Sequence, residues 1–233
     1  MTPNIVVTVA APVDAVWDAL RDPKKIRHWH GWEYDENGGL DGEIDLIYQQ
    51  HVSADEATHT LNLEGGDVFR LESDGDGCRI TLTRAEHGAD PDWEQYYDEI
   101  TEGWITFVHQ LRFAVERHPG DVRRTIFLSG KGTAGSPIEL LGVDGLSTAG
   151  TPYASELAGQ QVRGTVWFRS EHQLGLTVDE WGDGLVVLSH VGPSAAKPDG
   201  GTMAVLSTYG LDAAAYDALS ARWTAWWSER DQT

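Results

Sequence analysis

A chain of 233 residues, 40% of them hydrophobic, is long enough for one large domain or two modest ones with real cores. Its 17 basic and 37 acidic residues give a net charge of −20, with no basic run. That balance excludes nucleic acid and anionic membrane surfaces as expected partners, because both are held through Lys and Arg, and it suits an acidic, soluble, cytoplasmic protein.

The N-terminus, Met1 to Ile5, lacks the basic start and apolar stretch of a signal peptide. Ile5–Val9 is β-branched and predicts a strand. Ala11-Pro12 turns into a short helix on which Val13, Val16, Trp17 and Leu20 share one face. Asp22-Pro23 stops it, since the residue before proline avoids helical dihedrals. Residues 24–30 predict a second short helix or turn. Strands are then expected at 42–48, 59–63, 67–72 and 78–84, the last two joined by Asp74-Gly75-Asp76-Gly77, a hairpin signal. Cys78, the only cysteine, falls in the returning strand, where a buried inert thiol is expected. Asp90-Pro91-Asp92 predicts a helix start. Trp93, Tyr97, Ile100, Trp104, Phe107, Val108 and Leu111 mark one face of the long helix that follows, which ends near His118-Pro119-Gly120.

A second series begins with a strand at 122–128. Ser136-Pro137-Ile138-Glu139 predicts a capping box on a short helix. Residues 142–161, rich in Gly, Ser and Thr, read as loop. Strands follow at 162–168, 174–178, 185–189 and 203–207, then a Trp-rich terminal helix. This half carries fewer convincing strands than the first.

The two long helices align without a gap. Tyr97-Asp98 and Tyr216-Asp217 each lead, at equal spacing, to Trp104 and Trp223 and then to Phe107 and Trp226. Such self-similarity predicts two copies of one unit, over 1–120 and 121–233, the second reduced. A single domain with an elaborated tail is the alternative organisation.

The string Ala11-Pro12 … Val16-Trp17 … Ala19-Leu20 … Asp22-Pro23, followed by Trp29, Arg79–Thr83, Gly103-Trp104 and Leu111, resembles the START-like (SRPBCC, helix-grip) superfamily. Within it, the string resembles the group named for activators of the ninety-kilodalton heat-shock chaperone ATPase. The resemblance covers about residues 4–118. It implies an α+β fold, a curved antiparallel sheet gripping a long C-terminal helix, here expected in two tandem copies. It also implies a cavity between the two that takes lipids, hormones or polyketides in various members. Fold alone does not choose among these.

Three clusters are the candidates for chemistry. His28-Trp29-His30 could place imidazoles at a cavity mouth, His30 as acid or base; otherwise Trp29 is the buried anchor and both histidines face water. Trp17, Trp29, Tyr97, Trp104 and Phe107 could wall a ligand site, or simply form core. The acidic residues Asp90, Asp92, Glu94, Asp98, Glu99 and Glu102 suit the positive end of a helix better than paired-carboxylate catalysis. No metal-ligand spacing and no phosphate-binding loop is present, so neither metal nor cofactor is expected. Trp226 and Trp227 are adjacent, so one of them is expected to meet the other domain or a partner, which would favour a homodimer.

Three functions are open. The leading expectation is binding of a small apolar or aromatic molecule by Trp17, Trp29, His30, Tyr97, Trp104 and Phe107, with binding favoured over catalysis. The others are a polyketide cyclase or hydrolase-like enzyme using His30, and a protein-interaction module.

Overall fold

The computed structural model describes residues 4–34, 38–86, 96–194 and 197–231. The chain divides into two compact units, Met1–Asp121 and Val122–Thr233.

In the first unit, β1 (Asn4–Val9) alternates strictly, burying Ile5, Val7 and Val9. α1 (Val13–Arg21) buries Val16, Trp17, Ala19 and Leu20. Asp22 ends it and caps α2 (Pro23–Ile26), its side chain accepting from the Lys24 N–H at 2.9 Å. α3 (Gly39–Tyr48) follows, then β2 (Ser53–Asp55), β3 (Thr60–Asn62), β4 (Val68–Asp74), β5 (Gly77–Thr83) and the long helix α4 (Tyr97–Arg117). The strands form one antiparallel sheet in the order β1-β5-β4-β3-β2. Its apolar face (Ile80, Leu82, Phe69, Leu71, Leu61) packs with Trp104, Val108, Leu111 and Ala114 of α4 and with α1 and α3 in one core. Alternation fills one side of the sheet and the helix stripe covers it. The helix-start residues Asp90-Pro91-Asp92, with Trp93 and Glu94, lie outside the described residues.

The run 42–48, expected as a strand, is helix α3. Leu40, Ile44 and Tyr48 are buried at four-residue spacing, while Leu46, which a strand would place with Ile44 and Tyr48, is exposed.

In the second unit, β6 (Arg123–Gly130), α5 (Pro137–Leu140), β7 (Pro152–Leu157), β8 (Gln160–Arg169), β9 (Gln173–Val178), β10 (Gly184–Val191), β11 (Gly201–Tyr209) and α6 (Ala213–Asp231) succeed one another. The sheet order is β6-β11-β10-β9-β8-β7. The first strand again pairs with the last, the rest form a meander, and a long helix closes the unit. The expectation of fewer strands is corrected: this sheet has six where the first has five. The extra strand is β7, inside the stretch read as loop; it pairs with β8 from Pro152↔Thr165 to Leu157↔Gln160. Ser136 is the N-cap residue of α5 but its hydroxyl makes no capping bond, so the capping box is absent. Leu219, Trp223 and Trp227 are buried in this unit's core, and Trp226 packs at the edge of the same core beneath the Arg230 guanidinium, 4.1 Å from its ring. Both adjacent tryptophans thus pack on their own unit's core.

Candidate functional site

The turn after α2 continues the helical path, with the His30 N–H donating to the Ile26 carbonyl at 2.8 Å. Trp29 is the anchor: its indole N–H donates to the Ala19 carbonyl at 2.9 Å. With Trp29 fixed, His30 turns inward and is fully buried, rather than facing water. It lies among Trp29, Tyr48, Trp104 and Phe107, ring centroids 4.4–6.3 Å away.

Both imidazole nitrogens of His30 are engaged. Nε2 lies 3.2 Å from Glu43 Oε1 and Nδ1 lies 2.9 Å from the Tyr48 hydroxyl. Because Glu43 and Tyr48 come from one helix, α3 brackets the imidazole. Burial alone would raise the Glu43 carboxyl, but the His30 hydrogen bond and charge, helped by the Tyr34 hydroxyl, outweigh it and hold the carboxyl below its ordinary 4.5. Glu43 is then an acceptor only, so Nε2 carries the proton. Burial, followed by the negative charges of Glu43 and Asp67, pushes the Tyr48 phenol well above its ordinary value, so Tyr48 keeps its proton beside Nδ1. Outward, the Tyr34 hydroxyl donates to Glu43 Oε2 at 3.0 Å; burial first, then Glu43, pushes that phenol up to about 12.

A second polar cluster lies across Trp104. Asp67 immediately precedes β4 and Arg84 immediately follows β5, and the hairpin register (Val68↔Thr83) sets them opposite each other. They form a buried ion pair. Asp67 also accepts from the Ala85 N–H at 2.7 Å and from the Trp104 indole at 2.8 Å. Arg84 reaches the Thr101 hydroxyl at 3.2 Å and lies 4.9 Å from the Tyr97 ring, whose hydroxyl donates to the Ala85 carbonyl at 2.7 Å. Every polar atom of the Asp67 carboxylate is thus met, as a buried charge requires. Trp104 joins the two clusters: its indole N–H is on Asp67, and its ring meets Tyr48 edge-on at 6.4 Å.

Of the sequence candidates, Trp29, His30, Trp104 and Phe107 come together, and Tyr97 stands at the Asp67–Arg84 pair. Trp17 lies elsewhere, its indole donating to Glu56 and its ring edge-on to His59 at 5.5 Å. Glu43, Tyr48, Tyr34, Asp67 and Arg84 were not singled out from sequence. A signal for the first two existed in the positions 40, 43, 44, 47 and 48, a helical rather than strand spacing. The signal for the pair was the hairpin register.

Cys78 is fully buried, and burial pushes its thiol up to about 11, far from a thiolate. Among the described residues no group of three His, Cys, Asp or Glu could hold a metal ion. Among the same residues no helix is long and apolar enough to cross a membrane. In the second unit the repeat positions are reused for structure. The Tyr216 hydroxyl donates to the Thr125 carbonyl at 2.6 Å, and Trp223 meets Trp181 edge-on at 5.8 Å, its indole N–H having no protein acceptor.

No protein-family model matches the chain, and no curated protein matches it. Solved structures do. DynU16, from the dynemicin biosynthetic locus, is 21% identical, with 98% of this chain and 97% of that one covered and a TM-score of 0.34. The di-domain ARO/CYC StfQ of the steffimycin pathway is 12% identical, with 95% and 91% covered and a TM-score of 0.37. The di-domain ARO/CYC BexL of the BE-7585A pathway is 8% identical, with 99% and 95% covered and a TM-score of 0.36. The fold is α+β, with curved antiparallel sheets packed against long helices. None of these three is a chaperone-ATPase activator by name, and that narrower expectation is dropped. Two of the three bear the name ARO/CYC, and the expectation that leaned against catalysis is withdrawn.

Proposed function

We propose that the first unit takes a small apolar or aromatic molecule between its sheet and long helix and performs proton-transfer chemistry on it, as a polyketide cyclase or hydrolase does. The observation that carries this reading is the Glu43–His30–Tyr48 chain, an acid–base series set among aromatic rings in the interior. An imidazole whose tautomer is fixed by a carboxylate is suited to move a proton at neutral pH. Trp29, Trp104 and Phe107 would form the walls nearest His30, and Tyr97 would bound the Arg84 side. Arg84 already faces Asp67, and His30 faces Glu43. The reacting part of the molecule would therefore be neutral, a ketone or phenol rather than a carboxylate.

The test has two arms. Native mass spectrometry of the purified chain, followed by denaturing extraction, reads any molecule carried in the interior. Turnover of a linear poly-β-ketone thioester mimic is then compared for the wild type and His30→Ala. Cyclised product from the wild type is expected, with turnover in the variant down at least ~100-fold and binding of the mimic kept. Equal turnover by both proteins, or neither binding nor turnover by the wild type, would sink the reading.

A further inference from the structure

His30 has no ring nitrogen left to meet a ligand: one faces Glu43 and the other Tyr48. A proton can reach or leave the imidazole through either of those two partners, and they sit in opposite surroundings. The Tyr48 side chain is fully buried, edge-on to Trp29 at 5.6 Å and to Trp104 at 6.4 Å. The Glu43 side chain is 31% exposed, and its second oxygen is held by Tyr34, which lies at the surface. The series of groups thus runs from water, through carboxylate and imidazole, to a phenol in the core.

We infer that Tyr48–His30–Glu43 is a proton relay joining the interior of the first unit to solvent, with Tyr48 as its inner end and Tyr34 as the residue that positions its outer end. His30 is then the middle member and touches no ligand itself. The inference rests on the proposed function only for what meets Tyr48. The transfer is balanced without any co-reactant. As the Tyr48 oxygen takes a proton from an acidic C–H or O–H of the bound molecule, its own proton passes to His30 Nδ1. The Nε2 proton passes to Glu43 and on to water, and the reverse sequence restores the start. No electrons change hands. Across Trp104, Asp67 and Arg84 pair with each other. Tyr34 fixes the carboxylate so that Oε1 stays aimed at Nε2 while Oε2 faces outward.

The experiment uses the full chain and no ligand. The protein is labelled with ¹⁵N-histidine, and the His30 ring signals are identified by their loss in His30→Gln. Solvent exchange of the imidazole proton is then measured by NMR. The wild type should show the proton on Nε2, an unprotonated and hydrogen-bonded Nδ1, and fast exchange. Glu43→Gln, similar in shape but unable to carry a proton, should slow exchange by at least about tenfold. Tyr48→Phe should shift the Nδ1 signal and leave exchange fast, because the outer path is intact. Tyr34→Phe should keep the relay but raise the pH at which the Glu43 carboxyl titrates, seen in ¹³C-glutamate spectra. A proton on Nδ1 in the wild type, or exchange unchanged in Glu43→Gln, would overturn the relay. Unchanged Glu43 titration in Tyr34→Phe would overturn the role of Tyr34. Circular dichroism confirms that each variant is folded before it is read. An intact relay in a protein that never turns over the poly-β-ketone mimic would defeat the proposed function and leave the relay standing.

Discussion

At the scale of single residues, the sharpest demand falls on Asp67. Its carboxylate meets the Arg84 guanidinium, the Trp104 indole and the Ala85 amide, almost wholly out of water. Removing one member of a buried pair leaves the other charge uncompensated, which costs more than the pair's own contribution. Asp67→Ala should therefore lower stability by about 3–5 kcal/mol. The double variant Asp67→Asn/Arg84→Met should lose less, because no charge is left stranded. Urea midpoints at constant m-value measure both. If the double variant is the less stable, the pair contributes more than its desolvation costs. This site was half legible in sequence. The turn 74–77 fixes the register, and the register places 67 opposite 84. What sequence lacked was the third partner, since Trp104 reaches Asp67 only once α4 lies on the sheet. His30 shows the same limit: its residue type was noticed, but its inward orientation depends on the Trp29–Ala19 bond between the turn after α2 and helix α1.

At the scale of elements, strand alternation and helix stripes were readable because one face of each is buried, and the order of elements in both units follows from them. Two elements were not. α3 carries apolar residues at 44, 46 and 48, which mimic alternation, and two of its ten residues are glycine, which weakens helical propensity. β7 has Pro152 at its start and mixed burial, so nothing in it marks a strand until β8 pairs with it. Turns gave clearer signals, and glycines show why. Gly75 in the β4–β5 turn has φ +63° with open space where a Cβ would stand. Gly182 before β10 has φ +71°, and a Cβ there would lie 1.7 Å from the Tyr209 carbonyl oxygen. Gly75→Ala should cost about 1 kcal/mol, the left-handed backbone penalty alone. Gly182→Ala adds a clash with main chain and should cost more than about 3 kcal/mol. Chemical denaturation of the two variants side by side reads the difference, and equal costs would show that the backbone near Tyr209 yields freely.

At the scale of the whole molecule, two opposing electrostatic effects decide how stability responds to pH. The net charge of −20 means that acidic side chains repel one another at neutral pH, so screening or partial protonation favours the compact state. Against this stand groups that resist protonation when folded. His109 is held neutral, its imidazole pushed down to about 3, by burial first and by the Arg112 charge second. The unfolded chain takes up a proton there as pH falls below the ordinary value of 6.5, while the folded chain refuses it until about 3. Its stabilisation is therefore complete above 6.5 and is lost as pH falls through that window, at up to ~1.4 kcal/mol per pH unit. Glu43, lowered from 4.5, acts in the same sense further down: its contribution is present above 4.5 and disappears as pH drops through the folded value. At pH 7, raising NaCl from 0.05 to 0.5 M (about a threefold shorter Debye length) should raise Tm. Lowering pH from 7 to 5 at constant salt should lower Tm, because the His109 loss begins at once while carboxylate repulsion is relieved mainly below 5. His109→Gln should flatten that fall between pH 6.5 and 5 and leave the salt response unchanged. A wild-type Tm that climbs steadily from pH 7 to 5 would mean that relief of repulsion outweighs the buried imidazole.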